Sequence, residues 1–300
     1  MLAAFPAVAR AVDAPAVIHV GTTGKETDAQ AVYAQALGYF QRAGLSVDIQ
    51  VLPNGAAIAA AISGGSLQLG NGNVLTTAKA REKGLPFAIV TLSAQYDDAH
   101  PATILAVAPD APIHGGRDLN GKVLGGISLG GLDQLSMQIW VDQNGGDAAT
   151  LKFIELRPSE IVAALVRGTI AAGNLSEPEL SVQKKNIRVL GHSYGAVAKT
   201  YAQTAWFGNQ AWIAANAPVA RAFAQAMAQA AQWSSRPANH AQASQLLAQF
   251  AKLDRADASA SYARTLDPAL VQPVLDAGLK YKLLERAVSA GDLFAPEVRT

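Results

Sequence analysis

Residues Gly191-His192-Ser193-Tyr194-Gly195 form a complete G-x-S-x-G, the spacing that lifts a serine nucleophile onto a sharp turn between a strand and a helix. The apolar run Ile187 to Leu190 ahead of it can be that strand, and His114-Gly115-Gly116 resembles an oxyanion loop. Such a serine also needs a histidine base and an acid to orient it. His240 is the one histidine after Ser193, and no Asp or Glu lies between them. Ala196 to Tyr201 also lacks the apolar stripe of an elbow helix. The motif reads as a turn, with a serine esterase at Ser193 as the alternative.

Other covalent and metal chemistry finds less support. There is no cysteine, hence no thiolate ligand, thiol nucleophile, disulfide or lipidated cysteine. His19, His100, His114, His192 and His240 are scattered, with no i, i+4 pair, and Asp97-Asp98-Ala99-His100 reads as a solvated turn. No phosphate loop occurs, and neither a cofactor nor a metal is expected.

The richer signal is a set of polar, glycine-bearing loops at predicted strand ends: Thr22-Thr23-Gly24, Asn54-Gly55, Asn71-Gly72-Asn73, and Ser128 with Gly130-Gly131-Leu132. Backbone N–H groups at a helix start attract anions, and glycine lets a ligand approach the chain closely. Asn174 and Ser176 can donate to a carboxylate or carbonyl; Glu177 can accept from a ligand or cap a helix. Asp133 and Ser136 lie nearby in sequence, while Tyr96, Tyr194, Trp206 and Phe207 offer rings to stack on or to fill a core. Together these suit a small organic anion, with an aromatic portion within reach of the rings.

The elements that must position these loops alternate strand and helix. Ala16 to Val20 is a strand; Val32, Ala36, Phe40 and Ala43 share one face of a helix that Gly44 stops. Strands follow at Val47 to Val51, Leu67 to Leu69, Phe87 to Leu92 and Thr103 to Ala108, separated by a helix through Ile62 and another from Asn73 to Lys83. After Pro109-Asp110-Ala111-Pro112 a second series repeats this rhythm: strands at Lys122 to Ile127, Lys152 to Leu156, Ile170 to Ala172 and Ile187 to Leu190 alternate with helices. Strands separated in this way pair in parallel through right-handed crossovers. Two series of similar length imply two lobes. From Asn209 the chain turns to Ala-rich amphipathic helices whose stripes (Val219, Phe223, Met227; Leu246, Leu247, Phe250) face a core, and Pro268 to Ala287 reads as a last helix.

Composition bounds this reading. The 300 residues exceed one ordinary core, half are apolar and 16% are charged, so a folded two-lobed α/β chain is expected. A net charge of +1 without any Lys/Arg stripe argues against nucleic-acid binding. The first 14 residues, apolar and Ala-rich with Ala9-Arg10-Ala11 as an A-x-A site, read as the tail of an export signal, or else as a flexible N-terminus.

Four ordered segments resemble a known family. Leu37-Gly38-Tyr39-Phe40 with Ala43-Gly44-Leu45-Ser46-Val47 is similar to its first helix and strand; Ile62-Ser63-Gly64-Gly65-Ser66-Leu67-Gln68-Leu69-Gly70 is similar to its Gly-ended helix, strand and binding loop. Ala108 to Ile113 leading to Asp118-Leu119-Asn120-Gly121-Lys122 resembles its entry to lobe two, and Ala163-Ala164-Leu165, Gly168 and Glu177-Pro178 resemble the end of that lobe's binding edge. The family is that of type II periplasmic binding proteins for nitrate, sulfonate, taurine and thiamine precursors. The resemblance implies two α/β lobes, each a mixed, mostly parallel sheet flanked by helices and joined by two hinge crossings. Lobe one would comprise about residues 16–105 and 207–300, and lobe two about 106–206. It implies export to the periplasm, a monomer, an inter-lobe ligand, and an ABC permease with its ATPase subunit as partners; a sensor without a transporter is the other possibility. The fold also hosts a thiamine-pyrimidine synthase, whose cysteine-rich motif this chain lacks. The family's usual aspartates are replaced by Gln68 and by Ile170 or Ala171, which makes the ligand harder to assign.

Overall fold

The computed structural model describes residues 17–299. The expected export stretch, residues 1–14, lies outside them.

Two five-stranded sheets are built to one plan. The first holds β1 (Val17–Thr22), β2 (Ser46–Val51), β3 (Leu69–Asn73), β4 (Phe87–Leu92) and β12 (Thr204–Asn209), in the order β2-β1-β3-β12-β4. The second holds β6 (Ile104–Val107), β7 (Val123–Gly126), β8 (Lys152–Glu155), β9 (Ala172–Leu175) and β10 (Arg188–Gly191), in the order β8-β7-β9-β6-β10. β1 runs parallel to β2 and β3, as β7 does to β8 and β9. The odd strand of each sheet is antiparallel: β12 to β3 and β4, β6 to β9 and β10. Those two strands receive the chain as it passes between lobes, so the rhythm of the sequence could not assign their direction.

A third sheet forms the hinge. β5 (Ala94–Asp97), on the way out of lobe one, pairs antiparallel with β11 (Thr200–Ala202), on the way back, and with β13 (Ser261–Tyr262). The crossings therefore precede Thr103–Ala106 and Thr204–Phe207, where they were expected. Ile104 and Leu105 belong to the second sheet and Thr204 to Trp206 to the first, because their backbone bonds are made there.

Local chemistry explains most elements. Asn54 and Asn73 each cap a helix, accepting from Ala57 N–H at 2.9 Å and Thr76 N–H at 2.8 Å. The first expected helix is broken, into Ala29–Ala36 and Tyr39–Arg42, because Gly38 adopts φ 71°. The helix expected over Pro268 to Ala287 is shorter, Gln272–Lys280, and a short helix follows at Ala290–Leu293.

One apolar core spans both lobes. Val74, Leu75 and Ala78 of lobe one, Leu132, Leu135 and Ile139 of lobe two, and Val274 and Leu275 of the helix Gln272–Lys280 with Val271 just before it bury together, each large side chain contributing roughly 1.5–3 kcal/mol. Lobe one has its own further core around Tyr33, Phe40, Trp206 and Phe223.

Candidate ligand-binding cleft

The carboxyl ends of β1, β3 and β7 face one another, where open α/β sheets bind ligands. Between them lies a cavity of about 50 Å³, room for roughly three to five waters. Its wall includes Thr23, Lys25, Asp28, Gly55, Asn71 and Asn73 from lobe one, and Ser128, Leu132, Asp133 and Tyr194 from lobe two and the return to the hinge. Six expected residues are thus brought together: Thr23, Gly55, Asn71, Asn73, Ser128 and Leu132.

The other expected residues do different work. Thr22 is buried behind the wall and donates its hydroxyl to Asp28 at 2.8 Å. Asn54 sits on the rim and donates across the lobes to Glu155 Oε1 at 2.6 Å. Gly130 offers its carbonyl to Lys79 Nζ at 3.2 Å, another bond between lobes. Burial, then the neighbouring Lys83 charge, lowers the Lys79 pKa. Gly131 lies close against lobe one, since an added Cβ would stand 3.0 Å from Asn73 Nδ2 and from Ser128 Oγ of its own lobe. Glu177 accepts from Ser181 Oγ at 2.9 Å, and its carbonyl receives the Glu26 N–H at 3.1 Å. Ser176 Oγ is buried without a partner among the described residues, away from the cavity.

The two aromatic candidates pack elsewhere. Tyr96 stacks on Tyr201 in the hinge sheet, ring centroids 5.3 Å apart, and donates to Asp98 at 3.0 Å. Trp206 is in lobe one's core, donating Nε1–H to Gln30 at 3.0 Å. Their places follow from β5 and from the middle of β12, which lie beneath the cleft; of β12 the first residue, Thr204, is on the cavity wall.

Asn174 and Ser193 belong to one buried network. Ser193 Oγ donates to Asn174 Oδ1 at 2.7 Å and lies 3.4 Å from Ser136 Oγ, while Asn174 Nδ2 reaches Ser136 Oγ at 3.2 Å. Ser193 is fully buried at the start of a short 3-10 turn, Ser193–Ala196, and His192 beside it is exposed. The G-x-S-x-G glycine Gly191 packs against Trp140, and the serine's hydroxyl is bonded to an amide rather than to an imidazole. The motif is a structural corner.

Electrostatically the walls contrast. Asp28 takes the Thr23 N–H at 2.7 Å and the hydroxyls of Thr22 and Thr23 at 2.8 and 2.7 Å, which uses up the donors of that loop. Asn71 is 2% exposed and its Nδ2 has no partner among the described residues, and Lys25 is the one cationic side chain they place on this wall. Sequence reasoning passed over Lys25 and Gln203, because nothing local marks a residue that faces a cleft only after two sheets have formed.

Two α/β lobes flank a cavity lined by residues of both. Residues 27–240 match the model of the family described as NMT1/THI5 like, and the chain belongs to that family. No curated protein sequence matches it. Among solved structures it is similar to the alkanesulfonate-binding protein SsuA from Xanthomonas axonopodis pv. citri bound to MOPS, at TM-score 0.75 and 17% identity, covering 93% of this chain and 98% of that one. It is also similar to the periplasmic nitrate-binding protein NrtA from Synechocystis PCC 6803, at TM-score 0.78 and 14% identity, covering 94% and 86%. The desulfurization enzyme DSZB shares the fold at TM-score 0.67 and 12% identity, covering 94% and 97%. The expected type II periplasmic binding fold is thereby shown.

Proposed function

We propose that this chain is the extracytoplasmic substrate-binding component of an ABC importer, capturing a small organic anion in the inter-lobe cleft and delivering it to a permease served by an ATPase subunit. The observation that carries the reading is the Nδ2 of buried Asn71, without a partner among the described residues and on the same cavity wall as Lys25. A buried donor without an acceptor is unfavourable, by about 1–3 kcal/mol, until something supplies one. An acidic ligand does so, and its charge is opposite to that of Lys25.

Closure follows from the same contacts. Asn54–Glu155, Lys79–Gly130 and Glu26–Glu177 link the lobes, so a ligand that occupies the cavity favours this state over one in which they part. Equilibrium capture needs no covalent step. The solutes in the neighbours' descriptions, alkanesulfonate and nitrate, support an anion as the cargo, and the periplasm and a monomeric receptor fit that role.

A thermal-shift screen of sulfonates, nitrate, aromatic carboxylates and pyrimidines tests the proposal. At least one acidic compound should raise the melting temperature in a saturable way, and Asn71→Leu should move that rise to roughly thirtyfold higher ligand concentration. A protein that responds to no anion is not this receptor.

A further inference from the structure

On the flank of lobe one, outside the cleft, lies a groove of about 580 Å³, the size of a small-molecule site and far larger than the cavity between the lobes. Its walls all belong to lobe one: β4 at Thr91, the helix Ala217–Ser234, the loop after β13 and the chain from Gly291 to Arg299. The floor is apolar. Phe294 and Val298 are buried there because the C-terminal chain is tied to the edge of β4, with Ala295 N–H donating to the Ile89 carbonyl at 2.9 Å. Ala224 and Ala228, one turn apart on the helix, leave the depth that longer side chains would fill.

Three arginines reach this groove, Arg221, Arg264 and Arg299, and no Asp or Glu lines it. No carboxylate oxygen among the described residues comes within 4 Å of any of them. Arg221 is the one charged residue of its helix, and its Nη1 donates to the Glu297 carbonyl at 3.0 Å. Arg299 donates through Nη2 to the carbonyls of Gly291 and Phe294. Those bonds hold two guanidinium groups at the groove and leave them their full charge and further N–H donors. Arg264 is exposed at the groove, with no such tie among the described residues. Like charges gathered in a groove with apolar walls focus a positive potential there. The inter-lobe cavity differs, since Lys25 shares its wall with Asp28 and Asp133.

A guanidinium presents a fork of donors that matches phosphate and carboxylate oxygens. A carboxylate brings a single charge to three cations, whereas a phosphate monoester brings nearly two and three acceptor oxygens. The floor suits a hydrocarbon body. We infer that this flank of lobe one is a second binding site, for an organic phosphate monoester whose apolar body lies on Phe294, Val298 and Leu266 and whose phosphate sits among Arg221, Arg264 and Arg299. Because every wall comes from lobe one, occupancy does not depend on the lobes closing, and this ligand is not the cargo of the cleft. It goes beyond the anion-capture reading, and either can fail alone.

Calorimetric titration with hexyl phosphate, inorganic phosphate and hexyltrimethylammonium tests it. Hexyl phosphate should bind at least about tenfold more tightly than inorganic phosphate, since a few buried methylenes suffice for that factor. The cation should not bind. Arg264→Glu should weaken hexyl phosphate by about tenfold or more, through loss of a charge-assisted bond. Ala228→Glu, which sets a carboxylate on another wall of the same groove, should do likewise, and Asn71→Leu should leave the affinity unchanged. Hexyl phosphate binding no tighter than inorganic phosphate, or no tighter than the cation, overturns the inference. So does full affinity in either groove variant that keeps the wild-type melting temperature, or a loss in Asn71→Leu, which would move the ligand to the cleft.

Discussion

The two walls of the cleft are built alike and end up with opposite surpluses. Each has a polar loop after a central strand, and each loop encloses an aspartate. In lobe one Asp28 gathers the Thr22 and Thr23 donors to itself, and the adjacent β3 loop leaves Asn71 Nδ2 unmatched. In lobe two Asp133 gathers fewer donors, and the remaining polar groups, Asn174, Ser136 and Ser193, bond to one another. Counting loops and glycines would give two donor walls. Counting who already holds each donor gives one wall with a donor to spare and one with an acceptor to spare.

The largest effect concerns a second acid pair that spans the lobes. Glu26 of lobe one is 1% exposed, accepts from Ala260 N–H, and has its pKa raised to about 8, first by burial and then by the charges of Glu177 and Asp257. Glu177 of lobe two is also raised by burial, opposed by two bonds from Ser181. Because the folded Glu26 holds a proton that the unfolded chain releases near pH 4.5, stability falls as pH rises from about 4.5 to about 8 and the full cost applies above that window. Glu26→Gln should therefore be more stable than the wild type at pH 9, by of the order of 3 kcal/mol, with the gap closing toward pH 4.5. Denaturant melts at three pH values measure it. A gap that does not change with pH would mean that burial costs Glu26 nothing.

Next in size is the free donor. Asn71→Leu removes an unsatisfied buried amide, so it should leave stability unchanged or raised while weakening ligand binding by about 2 kcal/mol, roughly thirtyfold. Stability and affinity moving in opposite directions is the signature of a group held for a ligand. If both fall together, Asn71 is a packing residue and lobe one has no surplus donor.

Ser193→Ala probes the satisfied side. It strips Asn174 Oδ1 of its donor and should cost about 1–2 kcal/mol of stability with ligand affinity nearly unchanged. A fluorophosphonate should not label Ser193, which is fully buried. Labelling would restore the esterase alternative.

Much of the architecture was legible in the sequence, because strand alternation and asparagine caps are local. Asn54 and Asn73 announced their helices, and the repeated series announced two lobes. The hinge sheet was not legible: β11 and β13 have three and two residues, and their partner β5 lies about a hundred or more positions away, so no window contains the pair. The site was legible as a set of loops and illegible as a charge pattern. Tyr194 and Asp133 are 61 residues apart and meet only through the packing of β10 and its turn against the helix Leu132–Gln143. Trp206 and Tyr96 drew attention as rings, although a ring in a central or hinge strand is drawn to the core by its area.

The smallest effect tests whether the walls are latched at the rim. Asn54 caps the helix Gly55–Ser63 through Oδ1 and reaches Glu155 through Nδ2, while Glu155 Oε2 also accepts from Leu129 N–H at 3.2 Å. Asn54→Asp keeps the cap, since aspartate serves a helix N-terminus equally well, and sets a carboxylate against Glu155. Lobe one should keep its stability while the closed state loses up to about 1 kcal/mol, a few-fold in ligand affinity, because a partly exposed bond contributes no more than that. The loss should shrink in high salt, where the new repulsion is screened. Adding Glu155→Gln to the same chain should then restore affinity, because the glutamine amide donates to the introduced carboxylate that Glu155 repelled. Recovery would place the energy of closure partly at the rim; failure to recover would locate it wholly in the cavity and in the apolar seam around Leu75, Leu135 and Leu275, which both lobes share.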